Sequence, residues 1–482
     1  MGKIPSQDYS EHSESSKKNG ELKILKEDEG QLLSKTRIEE RDIVVGFDLG
    51  TSFTKVVIRD VALKISYAVP FDRISDEQNK YLLPTKLYYS NNRTFSLSSI
   101  DNQITDDIKI PLMELKDVLS TDEISTSLTH TVAYIGLVLS EARKWFLVNK
   151  KSIYKKINLN WHLNIGIPAR NYDDTVLKNN FRISALGGWN LSGYKGDITK
   201  EVCKKTIIYA RSLAKNNNHK PPTNLYLDKI DYEKVDVFPE IIAEFLGYAK
   251  SSMRRDGLHL LIDIGALTID IAIFNLLQRE GEDHYPIFTA EVKKLGAIML
   301  HKARLGSLPD DICEGIIKKC NLEDFFSIIR NPYNFISKSY HESVRKAEEE
   351  HLKKCSCLIT RAVAYTKKMR VPKDDAWKKG ASLFLCGGGS ILNCYKKALR
   401  DAENVLNPMG INKFNLNNLP TPDDIEASEL SLNEFHRLGV AYGLSFHKFD
   451  IGGIVPPSKI PDLLPHRPKR DIDKLYTDKD QV

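Results

Sequence analysis

Long apolar runs are missing from this 482-residue chain, and none approaches the roughly 20 residues that a membrane-spanning helix needs. The first residues carry no charged-then-apolar signal pattern, so neither a secretory address nor a membrane anchor is expected. Cysteine is sparse as well. Seven cysteines, an odd number at irregular spacing, do not make a disulfide framework. Cys355 and Cys357 form a CxC pair, but no second Cys or His pair stands at zinc-ligand spacing, so the thiols are expected to be buried in a reducing cytosol. A surplus of one charge is lacking too: 70 Lys and Arg against 64 Asp and Glu leave +6, which gives nucleic-acid binding little support. The basic runs Lys150-Lys151, Lys155-Lys156 and Lys353-Lys354 read as solvated helix faces. No repeat of solenoid period is present.

What remains is the composition of a large globular protein, with 41% hydrophobic and 28% charged residues, long enough for two to four domains. Residues 1–40 are rich in Ser, Lys and Glu and read as a disordered leader. Residues 449–482 carry Pro456, Pro457, Pro461, Pro465 and Pro468 and read as an extended tail.

Two segments more than 200 residues apart share one design. Ile43 to Ile58 (IVVGFDLGTSFTKVVI) and Leu260 to Phe274 (LLIDIGALTIDIAIF) each hold an apolar strand, an Asp, a glycine-bearing turn with hydroxyl residues, and a second apolar strand. Such turns expose backbone N–H groups that cradle phosphate oxygens. Gly50, Thr51, Ser52, Gly265, Ala266 and Thr268 are the candidates for that cradle, and Asp48 and Asp263 for holding Mg²⁺ through water. A third glycine motif follows a strand at Leu385-Cys386-Gly387-Gly388-Gly389-Ser390.

These hairpins resemble the two phosphate motifs of the superfamily that contains actin, the sugar kinases and the DnaK-like heat-shock chaperone ATPases. Gly387, Gly388, Gly389 and Ser390 resemble its adenosine motif. Val237 to Glu244 and Arg437 to Leu444 resemble its two connecting helices, and all five motifs stand in the superfamily's order over about 400 residues. Leu83 to Tyr89, His162 to Ala169 and a helix from Asp173 to Trp189 ending at Gly187-Gly188 resemble the chaperone branch. Lys55 and Pro239-Glu240 resemble instead the plasmid-segregating actin homologue ParM.

The resemblance implies an α/β fold of two actin-like lobes. Each lobe is expected to be a ribonuclease-H-like mixed sheet flanked by helices, with ATP or ADP in the cleft between them. The first lobe is expected over 41–240 and the second over 241–448, with a helical subdomain at 297–370. The strand at 161–167 is expected to close the first sheet. The resemblance places Lys55 beside the β-phosphate, as in actin and ParM. The chaperones carry their phosphate lysine on a later loop, where Lys109 or Lys116 could serve. Glu240 would orient the attacking water, with Glu244 one turn on as its substitute; Asp48 and Asp263 complete the catalytic set. Arg345 to Glu349 loosely resemble the purine-contacting helix. Ala266 stands where many relatives have glycine, which points to slow turnover.

The functional expectation is an Mg²⁺-dependent ATPase switch acting on a protein partner, since the chain shows no counterpart of the chaperones' substrate domain. A filament-forming ParM- or actin-like ATPase is the alternative, with self-assembly as its corollary, and a small-molecule kinase on the same fold is a third.

Overall fold

A computed structural model describes residues 39–463 apart from 76, 78, 99–102, 106, 216–228, 311 and 314–327. Of the expected leader, residues 1–38 lie outside the described residues, as does the last part of the tail; Glu39 and Glu40 instead open the first strand.

The first hairpin forms β1 (Glu39–Leu49) and β2 (Phe53–Asp60), followed by β3 (Ile65–Ala68) and β4 (Leu83–Pro84). Seven successive buried residues, Ile43 to Leu49, mark β1 as a central strand covered on both faces. A small separate sheet takes β5 (Leu87–Tyr89), β6 (Phe95–Ser96) and β7 (Gln103–Thr105). The main sheet resumes with β8 (Ile157–Ile167) and β9 (Val235–Pro239). The second hairpin gives β10 (Gly257–Ile264) and β11 (Ile269–Arg279), followed by β12 (Glu282–Lys293), β13 (Ser382–Cys386), β14 (Asn415–Asn417), β15 (Ile425–Glu426) and β16 (Gly453–Val455).

Two mixed sheets result, and they share one plan. The first runs β15-β3-β2-β1-β8-β9, with β4 added beside β2; the second runs β16-β12-β11-β10-β13-β14. In both, the leading strand is antiparallel to its hairpin mate and parallel to the strand on its other side. In both, a short strand from late in the chain is added in parallel at the outer edge. The strand expected to close the first sheet, β8, is interior, because β9 continues the parallel series beyond it. The expected extended tail is likewise anchored in part: β16 docks on β12, and Pro457–Lys459 form a short 3-10 turn.

Helices Thr126–Asn149, Thr175–Ser192 and Lys200–Ala214 cover the first sheet, each capped by a side chain (Ser125, Asp174, Thr199) that accepts from an N–H of its first turn. The helix expected to end at Gly187-Gly188 runs through both to Ser192. The two glycines face Val132 and Ile135 of Thr126–Asn149, where a β-carbon on Gly188 would collide with Ile135. They permit close helix packing and do not terminate the helix. Helices Ala297–Leu305, His341–Met369 and Asn393–Leu406 pack in the second half around Ile271, Leu352, Val363 and Leu383.

A third core joins the halves. It centres on helices Glu240–Ala249 and Gly439–Leu444, with Phe245, Phe274, Phe384 and Leu444 fully buried. The two helices cross with backbones in contact at Gly443, where a β-carbon would overlap the Ala243 carbonyl. Asn164 Nδ2 on β8 donates to the carbonyls of Leu444 (2.7 Å) and Phe446 (2.8 Å), tying the crossing to the first sheet. The turns of the two hairpins and the start of Glu240–Ala249 thus meet at one place.

Candidate functional site

The register of each hairpin fixes the chemistry at its tip. Asp48 stands opposite Lys55 across β1 and β2, and the Lys55 ammonium closes on Asp48 Oδ2 at 2.6 Å. Asp263 stands opposite Asp270 across β10 and β11, the same position in the duplicated plan. Directly opposed residues of an antiparallel pair hold their side chains on one face a few ångström apart. An ion pair forms in the first half; two carboxyls are crowded in the second.

The turn Gly50-Thr51-Ser52 is held from behind by Thr85, whose hydroxyl donates to Gly50 O (2.9 Å) and whose amide donates to Ser52 O (2.9 Å). In the second turn the Gly265 amide donates to Thr268 O (2.9 Å), and the Gly265 and Ala266 carbonyls accept from Ala297 and Ile298 (3.0 and 2.8 Å). That fixes Ala266 against the first turn of Ala297–Leu305. The Gly50 amide also points back, to Asp48 O at 3.2 Å. Both turn glycines therefore use their amides inside the turn. The Thr268 hydroxyl donates to Asp270 Oδ2 at 2.8 Å, which leaves its oxygen lone pairs, not its hydrogen, for any further contact.

Pro239 ends β9 and Glu240 opens the next helix, where a carboxylate meets the positive end of the helix dipole. Gly166 of β8 leaves room for its side chain: a β-carbon there would come 2.6 Å from Glu240 Cγ. The Lys109 ammonium closes on Glu240 Oε1 at 2.5 Å and is itself buried. Of the two lysines that could replace Lys55, Lys109 is the one the fold brings in. Burial opposes its charge, but Glu240 and Asp48 outweigh burial and raise its pKa. The Glu240 carboxyl is pushed up by burial and by Asp48 against the pull of Lys109.

Glu244, one turn on, is buried beside Cys386, and its pKa stands well above the usual range because of burial and the neighbouring Asp263 and Asp48. Its Oε2 meets no hydrogen-bond partner among the described residues. Asp263 is raised to about 6 by burial and by Glu240. Asp270 is raised to about 8 by burial and by Asp263, and its Oδ1 also lacks a partner among the described residues. Both aspartates lie close among protein atoms yet are only half-buried, and they form the floor of the cluster.

The third glycine motif abuts this floor. Gly387 takes φ +78°, a left-handed conformation that favours glycine, and a β-carbon there would collide with Asp263. Gly388 faces the Arg437 guanidinium, which would lie 3.8 Å from an added β-carbon; Gly389 packs on Ile264. The Ser390 hydroxyl donates to Gly387 O at 2.7 Å. Asp48, Lys55, Glu240, Asp263 and the Gly387 loop are thus gathered from four distant segments.

Two residues join that no local motif picked out: Asp270, which the sequence reading passed over, and Lys109, one of the two lysines it left open. Asp270 was legible from aligning the hairpins, where it answers to Lys55; Lys109 carries no local signal. Arg345, in contrast, is outside the cluster: it pairs with Glu342 and Glu349 on the exposed face of its own helix, at 2.7 and 2.6 Å. Glu348 is held by Arg304 at 2.7 Å.

Chemically the floor offers hard carboxylate oxygens, two of them unpartnered, and two ammonium groups. Hard oxygens suit Mg²⁺ or Ca²⁺ rather than a thiophilic metal. Among the described residues no group of three or more His, Cys, Asp or Glu side chains is disposed to ligate a metal directly. No described helix is long and apolar enough to cross a membrane. Cys203, Cys355 and Cys386 are buried as expected of structural thiols, whereas Cys357 is exposed. Neither a protein-family model nor a curated protein matches the chain.

Proposed function

We propose that the chain is an Mg²⁺-dependent ATPase of the actin and DnaK-like chaperone superfamily, a switch whose two ribonuclease-H-like lobes close on ATP and reopen after hydrolysis to control a protein partner. The observation that carries this reading is the convergence of Asp48, Glu240 and Asp263 where two sheets of identical plan meet. One duplicated sheet, with a carboxylate at each hairpin tip and a glutamate between them, suits a phosphate chain gripped from both sides.

In this reading Asp48 and Asp263 hold hydrated Mg²⁺, which neutralises phosphate charge when bound. Lys55 and Lys109 supply positive charge at the phosphates, and the turns at 50–52 and 265–268 confine them. Glu240 accepts a hydrogen bond from the attacking water and orients it. Phosphoryl transfer depends mainly on such positioning and charge stabilisation. The Gly387 to Ser390 loop offers backbone to the nucleoside. A ligand that prefers one lobe arrangement shifts the population toward it.

Lys109 against Glu240 favours the chaperone-like switch; Lys55 against Asp48 favours the filament-forming ParM- or actin-like reading. Calorimetric titration with ATP and Mg²⁺ tests the shared site. Asp48→Ala is expected to abolish the Mg²⁺-dependent part of the affinity while keeping a cooperative melt, and unchanged affinity removes the assignment. Light scattering then separates the two readings. Growth with ATP that decays as ATP is consumed means a filament; constant mass in every nucleotide state means a switch.

A further inference from the structure

The third glycine loop faces a cation that no acceptor holds. Arg437 is the last residue of the 3-10 turn Leu432–Arg437, just before the crossing helix Gly439–Leu444, and its side chain is half-buried. Among the described residues its guanidinium makes neither a hydrogen bond nor an ion pair, and none of its nitrogens is sealed from solvent. More deeply buried arginines elsewhere are not left so: Arg59 closes on Asp424 at 2.8 Å and Arg304 on Glu348 at 2.7 Å. Burial lowers the Arg437 pKa against the pull of Glu434 and Glu77, and Arg330 adds to the lowering. A guanidinium that gives up water and gains no acceptor costs free energy, which a ligand contact can offset.

The loop opposite is open at its middle glycine. An added β-carbon would strike Asp263 from Gly387 and Ile264 from Gly389, but from Gly388 it would meet only Arg437 Nη2, at 3.8 Å. Space is therefore left over Gly388, with the guanidinium as its far wall. Ile391, at the end of the same turn, is 49% exposed and adds apolar surface. Charge and shape decide what suits that space. Two carboxylates, Glu434 and Glu77, act on Arg437 against one guanidinium, Arg330, so a further anionic group is not favoured there. The phosphates, moreover, already have Lys55 and Lys109. An edge-on contact to a base needs a fork held in one orientation, as Glu348 holds Arg304 through Nε and Nη2. Nothing holds Arg437 in that way. A flat, neutral ring meets both conditions, since a guanidinium stacks on an aromatic face without a fixed hydrogen-bond direction.

We propose that Arg437 holds the base of the bound nucleotide, its guanidinium lying on the purine face over Gly388, so that the site takes purine nucleoside triphosphates without separating adenine from guanine. This assignment rests on the nucleotide reading of the carboxylate floor and adds to it a residue and a breadth of substrate.

Calorimetric titration of the full chain with ATP, GTP, CTP and inorganic tripolyphosphate, each with Mg²⁺, tests it. The parent is expected to bind ATP and GTP within about threefold of each other, and CTP more weakly because a pyrimidine offers less ring. Arg437→Gln is expected to weaken ATP and GTP alike by about tenfold, the loss of one partly desolvated cation–π contact, and to leave tripolyphosphate, which has no base, unchanged. Arg437→Lys keeps the charge and loses the plane, and is expected to fall between parent and Arg437→Gln. Unchanged ATP affinity in Arg437→Gln, an equal loss for tripolyphosphate, a loss for GTP alone, or a parent that separates ATP from GTP overturns the assignment while the nucleotide reading stands. A parent that binds neither ATP nor tripolyphosphate removes the nucleotide reading itself, and this assignment with it.

Discussion

Replacing Glu240 by alanine strands the Lys109 ammonium in the interior, since only 9% of its side chain is exposed. Breaking a buried pair from one side costs about 3–5 kcal/mol. Here Asp48 and Asp270 also act on the ammonium, so the loss belongs near the lower end, about 3 kcal/mol. Lys109→Met leaves the glutamate behind instead. Burial has already raised its pKa, so it takes up a proton and the loss is of similar size or smaller. The double variant removes both charges, and an apolar replacement for a buried pair is often close to neutral. The expectation is therefore strong non-additivity, with a coupling of about 2 kcal/mol or more between the two sites. At roughly 2–4 °C per kcal/mol for domains of this size, each single variant melts several degrees low and the double recovers most of the difference. Urea titration and thermal melts without nucleotide measure it. A double variant that loses the sum of the two singles refutes the buried pair. Glu240→Gln adds a functional arm: the amide oxygen still accepts from Lys109 but no longer balances its charge, so this variant is expected to melt between the parent and Glu240→Ala while any ATP turnover that needs the carboxylate is lost.

The helix crossing and the carboxyl pair give two further expectations. Gly443→Ala forces a β-carbon onto the Ala243 backbone, which has no flexible end to give way; a loss of about 1–3 kcal/mol is expected in denaturant titration, and an unchanged midpoint refutes the contact. Asp270, raised to about 8, keeps its proton in the folded chain where the unfolded chain has released it, so ligand-free stability falls as pH rises from about 4 to about 8. Asp270→Asn removes that contribution, and its melting temperature is expected to gain on the parent's steadily over this window; parallel curves refute the raised carboxyl.

The two hairpins were legible because their information is local: an apolar run, an Asp and a glycine turn stand within about a dozen residues. Glu240 was legible for the same reason, through the proline beside it. Lys109 was not, since its partner lies 131 residues away and nothing around it differs from an ordinary helix start. Gly187 and Gly188 misled because glycine both ends helices and lets them approach, and only the facing Val132 and Ile135 decide between the two. The edge strands β15 and β16, two and three residues long, are too short for any alternation to register. Asp270 is the instructive omission. Read alone, it is a polar residue on a strand; aligned with the first hairpin, it takes the place of Lys55 and makes the two tips electrostatically unlike.

That unlikeness gives the site its direction. Asp48, Glu240, Glu244, Asp263 and Asp270 contribute five acidic groups against the ammonium groups of Lys55 and Lys109. Neither lysine forms its ion pair with Asp263 or Asp270: Lys55 closes on Asp48 and Lys109 on Glu240. The second tip is therefore left with opposed carboxyls, and the chain answers in the only way open to it without a cation, by holding protons there at pH values where carboxyls are ordinarily ionised. A divalent cation relieves the same repulsion more effectively than a proton, because it balances both carboxyls at once. The first tip, already neutralised by Lys55, has less need of one. Under the proposed ATPase reading, Asp263 would therefore carry the larger share of the cation and Asp48 the smaller, with the two lysines facing the phosphate charge.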